Sequence, residues 1–235
     1  MNATFPSRSM RSRYIYCLIS CFFTTEATSS AAVVAIDVGH TLQAPGTSSA
    51  SGETEFSFNL RQAQKLQQAL TTQNISSTLI GADGKIKLLT DRTVAAKQQR
   101  LFISVHHDSI QPQYLPRSDH FHGYSIFVSR KNPFPEKSML CAHEIATALR
   151  NIGQTPTLHH AEPIQGENRP LADAYLGIYW FDDLIVLKTA RQPAVLIEHG
   201  VIVNPEEEAR LKQPSTQNQL ANAVAEGISH CLPKL

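Results

Sequence analysis

Residues 101–109 read "LFISVHHDS". Four of the first five are apolar, the other is a serine, and two histidines and an aspartate follow. A short run that is apolar on both faces suits a strand covered by helices on both sides, as in a parallel sheet. Titratable groups at the end of such a strand point to chemistry at the carboxyl edge of that sheet.

Similar runs lie on either side of it. "VVAIDV" (33–38), "ISSTLI" (75–80), "YSIFVS" (124–129), "DLIVLK" (183–188) and "AVLIEH" (194–199) are short, rich in β-branched residues and mostly apolar. All five read as strands. Between them, Phe56, Leu60, Ala63, Leu66 and Leu70 recur at spacings of three and four, which gives one apolar helix face. Ile145, Leu149 and Ile152 do the same, as do Leu220, Val224, Ile228 and Cys231. "NPEEEARL" from Asn204 carries the signals of a helix start: Asn as cap, Pro first, carboxylates in the first turn. Strands alternating with helices predict a single α/β domain with a central, mostly parallel twisted sheet flanked by helices on both faces.

The composition, 42% hydrophobic and 17% charged with a formal charge of +1, is that of a globular chain. It lacks the basic field that nucleic-acid binding needs. Beyond the N-terminal region, no apolar run approaches the ~18 residues of a spanning helix, so no transmembrane segment is expected in the mature chain.

The first 31 residues differ from the rest. Arg8, Arg11 and Arg13 precede "YIYCLISCFF", and the small, hydroxyl-rich "TTEATSSAA" follows. This is the order of a secretory signal peptide, expected over residues 1–31, and it implies an exported protein of the periplasm or cell envelope. "LISC" ending at Cys21 also resembles a lipoprotein processing box, an alternative that Phe22 and Phe23 disfavour as a mature start. Cys141 and Cys231 remain beyond the leader. An oxidising compartment would let them pair, but both sit on helical apolar stripes and are read as buried free thiols.

Segment 151–182 fits the α/β scheme poorly. It holds three prolines and the single Trp of the chain, Trp180, with one short helix expected around "LADAYLGIY". It is either a surface excursion or a wall over a cleft. His159, His160, Glu162 and Glu167 would suit a metal or peptide contact, and Tyr175, Tyr179 and Trp180 would suit a glycan.

Three predicted strands end in groups that can meet at one edge. The first delivers His40 just past its end, the third His106 and His107, and the last Glu198 and His199. Glu55 opens the first helix on the same side. Two histidines and a carboxylate with one open position are a common catalytic zinc set. His40, Glu55 and one of the histidine pair supply it, leaving Glu198 as a base. Taken singly, each has a plainer reading as a turn residue, a helix-start carboxylate or a hydrogen-bonded histidine. No Cys lies near a strand end and no G-x-S-x-G elbow occurs, so a nucleophile mechanism has less support.

In these motifs the chain resembles the zinc-dependent N-acetylmuramoyl-L-alanine amidases of the amidase-3 type, from about Val33 to Leu211 and in order. "VVAIDVGH" resembles the opening strand and gives His40 the place of the first Zn2+ ligand. In "GETEFSFNL" the ligand falls on Glu55, four residues before Asn59. "LLTDR" resembles a Leu-x-x-Arg helix start, with Arg92. "FISVHHDS" resembles Ser-x-His-x-Asp/Asn, whose register makes His106 the third ligand. "PAVLIEHGVIVNPEEEARL" gives Glu198 the place of the catalytic glutamate.

The resemblance implies that residues 32–235 form an amidase catalytic domain acting on bacterial peptidoglycan, at the amide joining N-acetylmuramic acid to L-alanine. Arg92, His107 and His160 are candidate substrate contacts. An activator protein is a candidate partner, and segment 151–182 is expected to be a fixed specificity wall rather than a movable plug. His107, His199, Val201 and Val203 depart from the usual pattern and bear on substrate preference. The alternatives are a zinc hydrolase cutting within the stem peptide and a non-catalytic wall-binding domain.

Overall fold

A computed structural model describes residues 1–4 and 33–235. Most of the expected leader, and Cys21 with it, lies outside the described residues. From the N-terminus the elements are β1 (Val34–Val38), α1 (Glu55–Thr72), β2 (Ser77–Ile80), α2 (Leu89–Ala95) and β3 (Leu101–Asp108). There follow β4 (Ser125–Val128), α3 (Pro135–Asn151), β5 (Leu171–Asp173), β6 (Ile178–Trp180) and α4 (Ile185–Thr189). β7 (Ala194–Val201), α5 (Pro205–Leu211) and α6 (Pro214–Cys231) complete the fold.

The strands form one seven-stranded sheet in the order β2-β1-β3-β7-β4-β6-β5. The first four run parallel; β4 is antiparallel to β7, β6 parallel to β4, and β5 antiparallel to β6. The sheet is thus mostly parallel, as expected. Helices cover both faces unequally, and the period of two along each strand decides which residues see which face. Val34, Ile36, Val38, Leu101, Ile103, Val105, Val195 and Ile197 pack in the large core with α1, α3 and α6. Ala35, Phe102, Phe127, Ala194 and Leu196 face a thinner layer that holds Val186 and Leu187 of α4. His106 and Glu198 follow the thin-face register. His107 and His199 follow the thick one.

Local chemistry explains several boundaries. Asn204 caps α5, its side chain accepting from Glu206 N and Glu207 N, with Pro205 in the first position. β3 and β7 run two residues further than the apolar runs suggest, so His106, His107 and Asp108 belong to the strand itself.

Three expectations are corrected. The run 183–188 is not a strand but the entry to α4. A short apolar run carries no period that separates strand from buried helix. The short helix expected around "LADAYLGIY" is instead the β5–β6 hairpin, turned where Asp173 Oδ1 accepts from Leu176 N and where Gly177 adopts φ 63°. Cys141 and Cys231 are not free thiols: they form a disulfide, Cα–Cα 5.1 Å, between the packed helices α3 and α6.

Candidate metal centre and active site

β1 ends in Asp37 and Val38, and after Gly39 the chain turns sharply at His40, which has φ 69°. A non-glycine residue held there implies that its surroundings enforce the turn. Arg92 of α2 does so: it donates to the carbonyls of Val38 and His40 while pairing with Asp37 Oδ1 at 2.7 Å. Ser104 Oγ donates to the other Asp37 oxygen at 2.7 Å. Arg92 is 2% exposed, and although it lines the larger cavity its guanidinium is engaged in fixing the backbone beneath His40.

Glu55, the first residue of α1, lies between two imidazoles. Its Oε2 is 2.9 Å from His40 Nε2 and its Oε1 is 3.0 Å from His106 Nδ1. Asn59 Nδ2 donates to Oε1 at 3.2 Å and Thr47 N to Oε2 at 3.3 Å. Burial alone would raise the Glu55 pKa; hydrogen bonds from His106 and His40 override it and hold the carboxyl well below its usual range. Donor atoms of the three side chains lie within 4.8 Å of one another. The packing leaves little slack, since a Cβ on Gly39 would sit 2.4 Å from the His106 ring and one on Gly46 would sit 2.3 Å from Glu55 Oε2.

Glu198 is paired with His106 across the β3–β7 ladder. Its Oε2 is buried and has no hydrogen-bond partner among the described residues. Burial first, and then the negative charges of Asp108 and Glu55, push its pKa well above the usual value. A proton-accepting carboxylate destabilised in this way is suited to acid–base work.

The neighbour of His106 behaves differently. His107 is buried on the thick face, where its Nδ1 pairs with Asn59 Oδ1 at 2.8 Å and its ring stacks on His199 at 5.5 Å. Burial, and then the nearby His199, hold its pKa well below the ordinary histidine value. The expected substrate contact at His107 is therefore corrected to a core role. His160 does reach the cleft, wedged between Asp108 Oδ2 and Glu167 Oε2, each at 2.8 Å. Burial opposes its protonation, but the two carboxylates prevail and raise its pKa to about 9.

Two cavities meet at this edge and share His106, Leu184 and Leu196. The larger, about 460 Å³, is lined by His40, Gln43, Ile86 and Leu89 among others. The smaller, about 220 Å³, is lined by Glu198, His160, Glu167 and Arg169. Asp108, the aspartate of the same motif, lies two residues beyond His106 on β3 and so on the same face.

The sequence of residues 34–230 matches the family Amidase_3, N-acetylmuramoyl-L-alanine amidase. The chain belongs to this family. Among curated amidases, AmiA of Escherichia coli is 26% identical over 215 residues, covering 83% of this chain and 74% of the relative. Among solved structures, the catalytic domain of the amidase CwlV from Bacillus (Paenibacillus) polymyxa aligns with a TM-score of 0.67 at 25% identity. That alignment covers 86% of this chain and 98% of the other. The CwlD amidase of Clostridioides difficile, solved in complex with the GerS lipoprotein, has the same fold. It aligns with a TM-score of 0.65 at 18% identity, covering 87% of this chain and all (100%) of that one. In this amidase the donor cluster, Glu198 and both cavities lie at the carboxyl edge of the parallel strands, where open α/β sheets bind ligands.

Proposed function

We propose that the protein hydrolyses the amide between the lactyl group of N-acetylmuramic acid and the L-alanine of the stem peptide in peptidoglycan. His40, Glu55 and His106 would hold one divalent ion, and Glu198 would be the acid–base group. The observation that carries this reading is the pairing of Glu198, with its unpartnered buried oxygen, against a two-histidine, one-carboxylate donor set. Two imidazoles and a carboxylate suit Zn2+.

When bound, such an ion supplies Lewis-acid stabilisation of charge on the scissile carbonyl oxygen and makes a neighbouring water more acidic. The chain's own residues do the rest. Glu198 accepts the proton of the attacking water on a carboxylate oxygen and later delivers it to the leaving alanine nitrogen. Arg92 and Asp37 keep the His40 turn in place, and Asn59 orients Glu55 and His107 together. Leu184 and Leu196 line both cavities with apolar surface.

Segment 151–182 supports the reading of a fixed wall, because β6 is hydrogen-bonded to β4 as part of the sheet. Tyr179 Oη also donates to Thr157 O at 2.8 Å. The 1–31 leader and the Cys141–Cys231 disulfide together favour export to an oxidising envelope compartment. No helix among the described residues is long and apolar enough to cross a membrane. A protein partner, with an activator as the candidate, is in keeping with CwlD having been solved in complex with a lipoprotein.

The test is digestion of purified peptidoglycan with and without chelator, followed by fragment mass analysis. New alanine N-termini that vanish with chelator are expected. Other new termini would mean a stem-peptide hydrolase, and no release would leave a wall-binding domain.

A further inference from the structure

A second cluster of donors lies beside the first. Asp108, His159 and His160 each offer one atom, and these atoms are also within 4.8 Å of one another. Asp108 Oδ2 is 2.8 Å from His160 Nε2 and 3.5 Å from His159 Nε2. Ligands at ~2.0–2.2 Å from a tetrahedral ion are separated by roughly 3.3–3.6 Å, which the His159 spacing meets and which the hydrogen-bonded His160 spacing reaches by opening about 0.5 Å. The second Asp108 oxygen, Oδ1, is engaged by Ser109 N at 2.7 Å, so Oδ2 is the oxygen turned toward the two histidines.

The remaining atoms of both rings are arranged as metal-ligating histidines require. His160 Nδ1 faces Glu167 Oε2 at 2.8 Å, an acceptor that fixes the proton on Nδ1. His159 Nδ1 faces Thr157 Oγ1 at 2.8 Å. A carboxylate or hydroxyl on one ring nitrogen orients the other nitrogen toward a metal. The independent observation is His159 Nε2 itself. It is buried on a side chain only 4% exposed, lies 3.5 Å from Asp108 Oδ2, and has no hydrogen-bond partner among the described residues. A buried ring nitrogen left in that state costs free energy that a cation at the centre of the three donors would recover.

We propose that Asp108, His159 and His160 form a second site for a divalent transition-metal ion, separate from His40, Glu55 and His106, that fastens segment 151–182 to β3. The donor set, two imidazoles and one carboxylate, selects ions of the zinc class over calcium or magnesium. His160 also lines the smaller cavity with Glu198, so this site borders the cleft.

The experiment counts ions on the full chain. The protein is loaded with Zn2+, freed of weakly held metal by a moderate chelator, and measured by mass spectrometry of the elements. Two ions per chain are expected, one remaining in His40→Ala/His106→Ala and one remaining in His159→Phe. Co2+ loading of the same variants should give two separable visible spectra. The His40→Ala/His106→Ala variant leaves the second site untouched, so it decides the matter even if His159→Phe fails to fold. An ion retained by that variant and lost on adding Asp108→Asn supports the proposal. A single ion in the wild type that vanishes with His40→Ala/His106→Ala overturns it while leaving the proposed function intact. A single ion that survives that variant supports the second site and overturns the first.

Discussion

His106 and Glu198 are direct neighbours across the β3–β7 ladder, and both belong to the thin face of the sheet. A candidate ligand and a candidate base are therefore held by two central strands rather than by loops, which fixes their separation. Sites carried on such elements keep the narrow tolerances that acid–base catalysis requires.

Glu198→Gln tests the role of that neighbour. The amide is nearly isosteric but accepts no proton, so turnover should fall by roughly 10²–10⁴-fold while bound metal is unchanged. Steady-state hydrolysis paired with metal analysis checks it. Loss of metal in step with activity would make Glu198 a ligand instead.

Gly39→Ala tests the packing beneath the site. The added Cβ would sit 2.4 Å from the ring of His106, so the ring must move. Misplacing a catalytic group by about 1 Å can cost on the order of 10²-fold, and a loss of that size is expected in kcat/KM with the fold retained. Unaltered kinetics would mean that His106 has more freedom than its packing indicates.

The disulfide closes a loop with a sequence separation of 90. Chain-entropy reasoning gives such a bridge roughly 2–5 kcal/mol. Cys141→Ala/Cys231→Ala should lower the urea midpoint accordingly, and reductant should lower that of the wild type but not of the variant. Equal midpoints with and without reductant would contradict the bridge.

Glu208 governs an acid-side dependence. Its carboxylate accepts from Ser49 Oγ at 2.6 Å and from Ser51 N at 3.0 Å, and pairs with Lys212 Nζ at 2.7 Å. Burial would raise its pKa, but Lys212 and the two serines override this and hold it at about 2, against an ordinary 4.5. A folded-state pKa below the unfolded one stabilises the fold fully above the unfolded value, and that stability is lost as pH falls toward the folded value. Wild-type stability should therefore decline from about pH 5 to about pH 2 more steeply than that of Glu208→Gln. Parallel slopes in urea titrations over that range would refute the assignment.

The sequence by itself determined whatever depends on neighbours along the chain. Apolar runs near 33–38, 101–106 and 194–199 specified buried parallel strands. The Asn204–Pro205 pair specified a helix start, and a period of two specified that His106 and His107 must face opposite ways. Ordered motifs were enough to bring His40, Glu55, His106 and Glu198 into one hypothesis. What depends on partners far along the chain was decided only by the tertiary structure. The run at 183–188 became a helix because the thin face needed cover, and no local period opposed it. Cys141 found Cys231 only because α3 packs on α6. Arg92 turned inward because Asp37, 55 residues away, needed a counter-charge once both were buried. Asp108 met His160 across 52 residues for the same kind of reason. A buried charge takes whichever opposite partner the fold brings within reach, and sequence spacing does not record that distance.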